Sequence, residues 1–161
     1  AAVLASLATA SLVHLAAHGR LSADNPLFSD LLLSDGPMVV YDVEQLDQVS
    51  HTVVLAACDS GRSVVRIGDE LLGLSATLIA RGAAQLVASV VPIPDAETAS
   101  LMVAFHRRLA DGQPAAVALA DAQKELRNEE PVTLAATAGF VCIGAGVSVR
   151  RQRAAIGMEG H

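Results

Sequence analysis

Aromatic residues are almost missing from this sequence. They make up 2% of its 161 residues, and Trp is absent. A hydrophobic fraction of 52% must then be carried by Ala, Val, Leu and Ile, which is still enough for one domain with a real core. Basic charge is scarce as well: 11 Lys and Arg stand against 17 Asp and Glu, a formal net charge of −6. Short of both cations and stacking surface, the chain is not expected to bind nucleic acid directly. It has two cysteines, Cys58 and Cys142. That is too few for a disulfide framework and points to a reducing, cytoplasmic compartment. Cys142 reads as a small core residue. The apolar stretch from Ala1 to Ala17 contains Ser6, Thr9, Ser11 and His14, so no membrane span is expected. It lacks a start methionine and a basic lead-in, which argues against a signal peptide and for a chain cut from something longer. There is no Gly-x-Ser-x-Gly elbow of a serine hydrolase. The stretches Gly61-Arg-Ser63 and Gly68-Asp-Glu70 do not form a phosphate loop.

Two apolar runs are present, each ending at a side chain with chemistry. One reads Ser11-Leu-Val-His14-Leu-Ala-Ala-His18-Gly19; the other reads His51-Thr-Val-Val-Leu-Ala-Ala-Cys58-Asp59-Ser60-Gly61. Both suit strands buried on two faces. Further strands are expected at Met38 to Tyr41, Gln85 to Val91 and Gly139 to Ile143. Helices are expected from about Ala1 to Ala10, from Gly68 to Arg81 with a stop at Gly82, from Asp95 to about Ala110, and from Pro114 to about Arg127. Pro114 is read at the first helical position. Gly19 to Gly36 has loop composition with a short apolar piece, Leu31 to Leu33, and Val43 to Leu46 suits one helical turn. The basic tail 147–161, with Arg150, Arg151 and Arg153, is expected to fray from a domain spanning 1–146. Strands alternating with helices imply crossovers and a mostly parallel sheet. The strands are fewer than a complete doubly wound domain has, so N-terminal strands are expected to be missing. Edges and apolar faces left open by such a truncation would favour self-association.

In a parallel sheet the carboxyl ends of neighbouring strands meet at one edge, where sites form. His18 and Cys58 brought together there are a thiol nucleophile and its base. The imidazole takes the thiol proton and later gives one to a leaving amine. A tetrahedral intermediate needs donors for its oxyanion, and the backbone N–H groups of Gly19 and Cys58 are candidates. Gly19 has no Cβ, so a substrate carbonyl could come close to its N–H. Asp59 and Asp95 could face a basic substrate side chain; their plainer roles are to support the turn and to cap a helix. Glu70 suits the positive end of its helix. His14, His18 and Cys58 are a conceivable zinc set without an evident fourth ligand. A hydrogen-bonded core His14 is the preferred reading, with no metal and no cofactor expected. On residue types alone, a packed Cys58 and a structural His18 remain open.

The order of motifs resembles one family, the CHAT domain. His14-Leu-Ala-Ala-His18-Gly19, Asn25-Pro26-Leu-Phe28-Ser29 and Leu31-Leu-Leu-Ser-Asp35-Gly36 are similar to the start of its core. Leu55-Ala-Ala-Cys58-Asp-Ser-Gly61 is similar to its cysteine motif. Gly68-Asp-Glu-Leu-Leu-Gly73, Gly82-Ala83, Val87-Ala-Ser-Val90, Asp95-Ala-Glu-Thr98, Phe105, Leu109-Ala-Asp-Gly112 and Ala118-Leu-Ala-Asp-Ala-Gln123 follow in register. The resemblance covers roughly residues 12 to 145. It implies an α/β, caspase-like three-layer sandwich and cysteine endopeptidase activity through His18 as base and Cys58 as nucleophile, with Gly19 and Cys58 forming the oxyanion hole. Caspases place the His about 50 residues before the Cys, and here the separation is 58 − 18 = 40. The resemblance also implies a protein or peptide substrate and a helical-repeat region on the same polypeptide. One position departs from the family: Val91 stands before Pro92 where a Trp is usual. A non-catalytic interaction or regulatory module that keeps the fold, or a fragment inactive on its own, is the alternative function.

Overall fold

The computed structural model describes residues 2–20, 22, 26–34, 36–58, 69–91, 95–127 and 137–145. The expected tail 147–161 lies outside them. In chain order the elements are α1 (Ala2–Thr9), β1 (Leu12–Arg20), a 3-10 turn (Pro26–Phe28), β2 (Asp30–Leu33), β3 (Gly36–Val39), α2 (Val40–Glu44), β4 (Thr52–Cys58), α3 (Asp69–Ala80), β5 (Gln85–Ser89), α4 (Asp95–Ala110), α5 (Ala115–Glu125) and β6 (Phe140–Gly144). The six strands form one sheet in the order β3-β2-β1-β4-β5-β6.

The sheet is mixed. Its centre is parallel, β1 beside β4 and β4 beside β5, while β2, β3 and β6 pair antiparallel. Chain geometry dictates this. The link from β1 to β2 is too short for a crossover, so the chain folds back on itself. The link from β5 to β6 includes α4, α5 and further helical residues at 137–138, and it brings β6 back antiparallel to β5. At the tip of β6, Gly144 has φ +127°, and a Cβ there would overlap the Ala84 carbonyl oxygen. Only glycine fits that approach.

Each face of the sheet has its own core. One face packs Val13, Leu15, Val53, Leu55 and Leu86 against Leu7 of α1, Val40 and Val43 of α2, and Leu74 and Leu78 of α3. The other packs Val54, Val87 and Phe140 against Leu101, Met102 and Phe105 of α4 and Ala115, Ala118, Leu119 and Ala122 of α5. The result is a three-layer α/β/α sandwich, compatible with the expected caspase-like fold. Small side chains on α4 and α5 let the helices approach closely, which compensates for the scarcity of aromatic bulk.

Polar anchors tie distant segments to this frame. The buried Ser50 hydroxyl donates to the Leu7 carbonyl at 3.0 Å, fastening α1 to the entry of β4. The Thr52 hydroxyl donates to the Gln85 side-chain oxygen at 3.3 Å; both side chains are fully buried and face each other at the first β4–β5 pair. The Gln123 amide on α5 donates to the carbonyls of Thr137 at 2.8 Å and Phe140 at 3.0 Å, which sets the start of β6.

Three local expectations are revised. Leu31 to Leu33 is not a loop but β2, hairpinned to β3, with Leu31 buried and Leu32 exposed. Three leucines in a row hide that alternation, and Gly36 and Pro37 gave their segment the composition of a loop. Pro37 is tolerated because β3 is an edge strand. The segment expected to stay extended to Tyr41 turns helical at Val40, where the Asp42 carboxylate accepts the Val39 N–H at 3.2 Å. Pro114 sits at the cap position, one residue before the helix rather than in it.

Phe105 is among the largest fully buried side chains. Its replacement in Phe105→Ala is expected to lower stability by about 3–5 kcal/mol, as measured by urea denaturation with an unchanged dependence on denaturant.

Candidate active site

β1 and β4 run side by side in unbroken parallel register, from Leu12 opposite Thr52 to His18 opposite Cys58. Positions paired on neighbouring strands are separated by about 4.8 Å, and alternation along each strand puts positions 14, 16 and 18 of β1 on the same face as positions 54, 56 and 58 of β4. That is the face covered by α4 and α5. Cys58 closes β4, and Gly19 lies one residue past His18, opposite Leu31 of β2. The Cys58 side chain, Asp59 and Gly61 lie outside the described residues, as do the side chains of Glu70 and Asp95. Asp95 is the first residue of α4.

A cleft of about 390 Å³ opens on this face beside α4. His14, Ala16 and His18 of β1 form its floor with Ala56 of β4 and Leu32 of β2; Thr98, Ala99 and Met102 of α4 form its wall. The cleft exists because alanines stand in both floor and wall: larger residues at 16, 56 and 99 would fill it. His18 is exposed at the rim. The Cβ that Gly19 lacks would meet only Leu31 Cδ2 at 3.9 Å, an ordinary contact. Packing therefore leaves room for a side chain at position 19.

Deeper in the cleft the structure brings together two histidines that sequence reasoning did not join. His106 of α4 lies over His14, with Nε2 of His106 3.0 Å from Nδ1 of His14. The rings stack with centroids 4.9 Å apart and planes at 23°, and Phe105 meets His106 edge-on at 5.2 Å. The signal for His106 was in the sequence: Thr98, Met102 and His106 recur at intervals of four along α4, one stripe facing the sheet. The core reading of His14 holds for Nδ1 but not for Nε2, which is buried without a hydrogen-bond partner among the described residues. Burial pushes the pKa of both rings below the ordinary imidazole value of 6.5, and the neighbouring His106 lowers His14 further. Among the described residues no group of three or more His, Cys, Asp or Glu is placed to hold a metal ion. Cys142 is half-buried beside the α4–α5 core, and burial raises its thiol pKa.

The CHAT domain profile matches residues 1–145. The chain belongs to the CHAT domain family. It is also 29% identical over 143 residues to tetratricopeptide repeat protein 28 of Homo sapiens, a match that takes in 88% of this chain and 6% of that protein. The CHAT chain thus spans a small fraction of the relative's length. No described helix is long and apolar enough to cross a membrane.

The histidine pair sets a pH dependence of stability. Both rings bind protons less readily in the folded than in the unfolded chain. Above pH 6.5 both states are neutral and the packing of the pair contributes in full. Below 6.5 the unfolded chain takes up protons first, so stability falls with pH until the folded-state values are reached. Urea midpoints are expected to drop from pH 7.5 to pH 5, and to drop less steeply in His106→Gln.

Proposed function

We propose that this CHAT domain is the peptidase core of a cysteine endopeptidase, with Cys58 as nucleophile and His18 as base. The observation that supports it best is the register that pairs His18, near the end of β1, with Cys58, the last residue of β4, beside an open cleft. In this reading His18 takes the Cys58 proton and the thiolate attacks the substrate carbonyl carbon. The backbone N–H groups of Gly19 and Cys58 hold the oxyanion. As the C–N bond breaks, the imidazolium returns its proton to the amine, leaving a thioester on Cys58. Water, deprotonated by His18, then attacks the thioester and releases the acid and the free thiol. The chemistry needs a reduced Cys58, which suits a reducing, cytoplasmic location.

Asp59, which follows Cys58 in sequence, and Asp95, the first residue of α4, are proposed to meet a basic substrate side chain. Residues 1–146 act as the unit, and 147–161 as an appended tail. A helical-repeat region on the same polypeptide is the proposed regulatory partner, which the tetratricopeptide repeats named for the human relative support.

A peptide-based electrophile tests this on the intact chain. Cys142, with its raised pKa, stays a protonated thiol at neutral pH and gives little background. Labelling is expected at Cys58, about 10²-fold slower in His18→Ala, in keeping with the contribution of a general base. Labelling no faster than in Cys58→Ala would instead assign the chain to the alternative class, a non-catalytic interaction module. Gly19→Ala separates approach from packing. Since the added methyl fits beside Leu31, stability should change by less than about 1 kcal/mol, while peptide cleavage falls by about tenfold or more because the substrate carbonyl is held off its donor.

A further inference from the structure

The His14–His106 pair joins two elements at the base of the cleft. Each neutral imidazole carries one N–H, so a single proton serves the 3.0 Å contact between Nδ1 of His14 and Nε2 of His106. A first added proton is accommodated: an imidazolium N–H donating to a neutral imidazole is a charge-assisted bond, stronger than the neutral one. A second is not. It leaves two cations with stacked rings at a 4.9 Å centroid separation, neither able to accept, and it fixes an N–H on Nε2 of His14, which is buried without a partner among the described residues.

The described surroundings offer no compensation. β4 presents Val54 opposite His14; α4 presents Thr98, Met102 and Phe105; β1 presents His18 four positions further along the same face. Among the described residues, the only charge that acts on His14 is that of His106, and none acts on His106. Arg107 is exposed, and Arg108 is turned to Glu125 of α5. No described carboxylate stands ready to receive the second proton's charge.

We propose that the His14–His106 pair is an acid-released clip, holding α4 against β1 while at most one ring is charged and letting the helix lift when both are, so that the cleft widens. The elements it joins are the cleft's floor and wall, since His14 belongs to one and Thr98 and Met102 to the other. The clip is independent of the hydrolytic reading, because its readout is the motion of α4 and not turnover.

Amide hydrogen exchange on the intact chain tests it. The wild type is compared with His106→Gln at the same pH, so that the intrinsic dependence of exchange cancels. Gln at 106 keeps a polar partner for His14 and carries no titrating charge. Between pH 7.5 and pH 4.5 the ratio of wild-type to variant exchange at Leu101 to Phe105 is expected to rise about tenfold, the factor that one pKa unit contributes, with β4 and β5 unchanged. A flat ratio, or a rise shared by the whole chain, overturns the clip. If His106→Gln does not fold, His14→Gln takes its place. NMR titration of the wild-type rings gives a second reading: two separated, mutually dependent steps support the clip, and two independent steps overturn it.

Discussion

Seven consecutive residues of β1 lie beside seven of β4 in parallel, and the rest of the domain follows from that pairing. Parallel neighbours demand a crossover, and crossovers put helices on both faces, so the sheet acquires two separate cores. The pairing also decides which residues share a face. Slipping it by one residue would send every side chain of one strand to the opposite core, and His18 would no longer lie on the face of position 58. The alignment that buries Val53 and Leu55 on one side and Val54 on the other is the same alignment that brings an imidazole-bearing and a thiol-bearing position to one edge. Core packing and site geometry are two readings of one register.

The scarcity of aromatics and the presence of a cleft have a common origin. A core of Ala, Val and Leu packs densely where helix and sheet meet face to face, as α5 shows with Ala115, Ala118 and Ala122. Where α4 passes the edge of the covered region, the same small residues fall short of filling the space, and Ala16, Ala56 and Ala99 border an opening. The one large aromatic contact near that opening, Phe105 against His106, braces the histidine pair from the α4 side. Polar groups inside the cleft are thus few and held in place, the usual composition of a binding site.

Much of this was legible beforehand because strands buried on both faces announce themselves as uncharged β-branched runs. The segment ending at Cys58 and the third strand from Gln85 are of that kind. The one ending at His18, expected to be buried on two faces, buries only its Val13 and Leu15 face and leaves Ala16 and His18 exposed. Helix α4 was bounded by Asp95 and Asp111-Gly112 as its residues imply. Local signals failed where pairing, not composition, makes the strand: Leu31-Leu-Leu33 of β2 shows no period of two, and β3, expected from Met38, begins two residues earlier at Gly36 because it pairs with β2. The antiparallel edges were hidden for a similar reason, since strand direction is set by how the chain returns to the sheet and not by the composition of the strand. The His14–His106 contact spans 92 residues. A sequence offers a stripe on one helix and a histidine in one strand, and only the packing of α4 across β1 makes them a pair.

The buried bond between Thr52 and Gln85 has a consequence for how the chain finds this arrangement. Parallel strands distant in sequence are slow to pair, and apolar runs such as Val53-Val-Leu55 and Leu86-Val-Ala88 attract each other almost equally well in several alignments. In a shifted alignment the Gln85 amide would be sealed among aliphatic side chains with nothing to bind, at a cost of about 1–3 kcal/mol. That is enough to favour the native alignment roughly five- to a hundred-fold. One hydrogen bond at the far end of the sheet therefore works as a ruler during folding, and by measuring off β4 from its first residue it decides where, six residues later, the cysteine comes to rest.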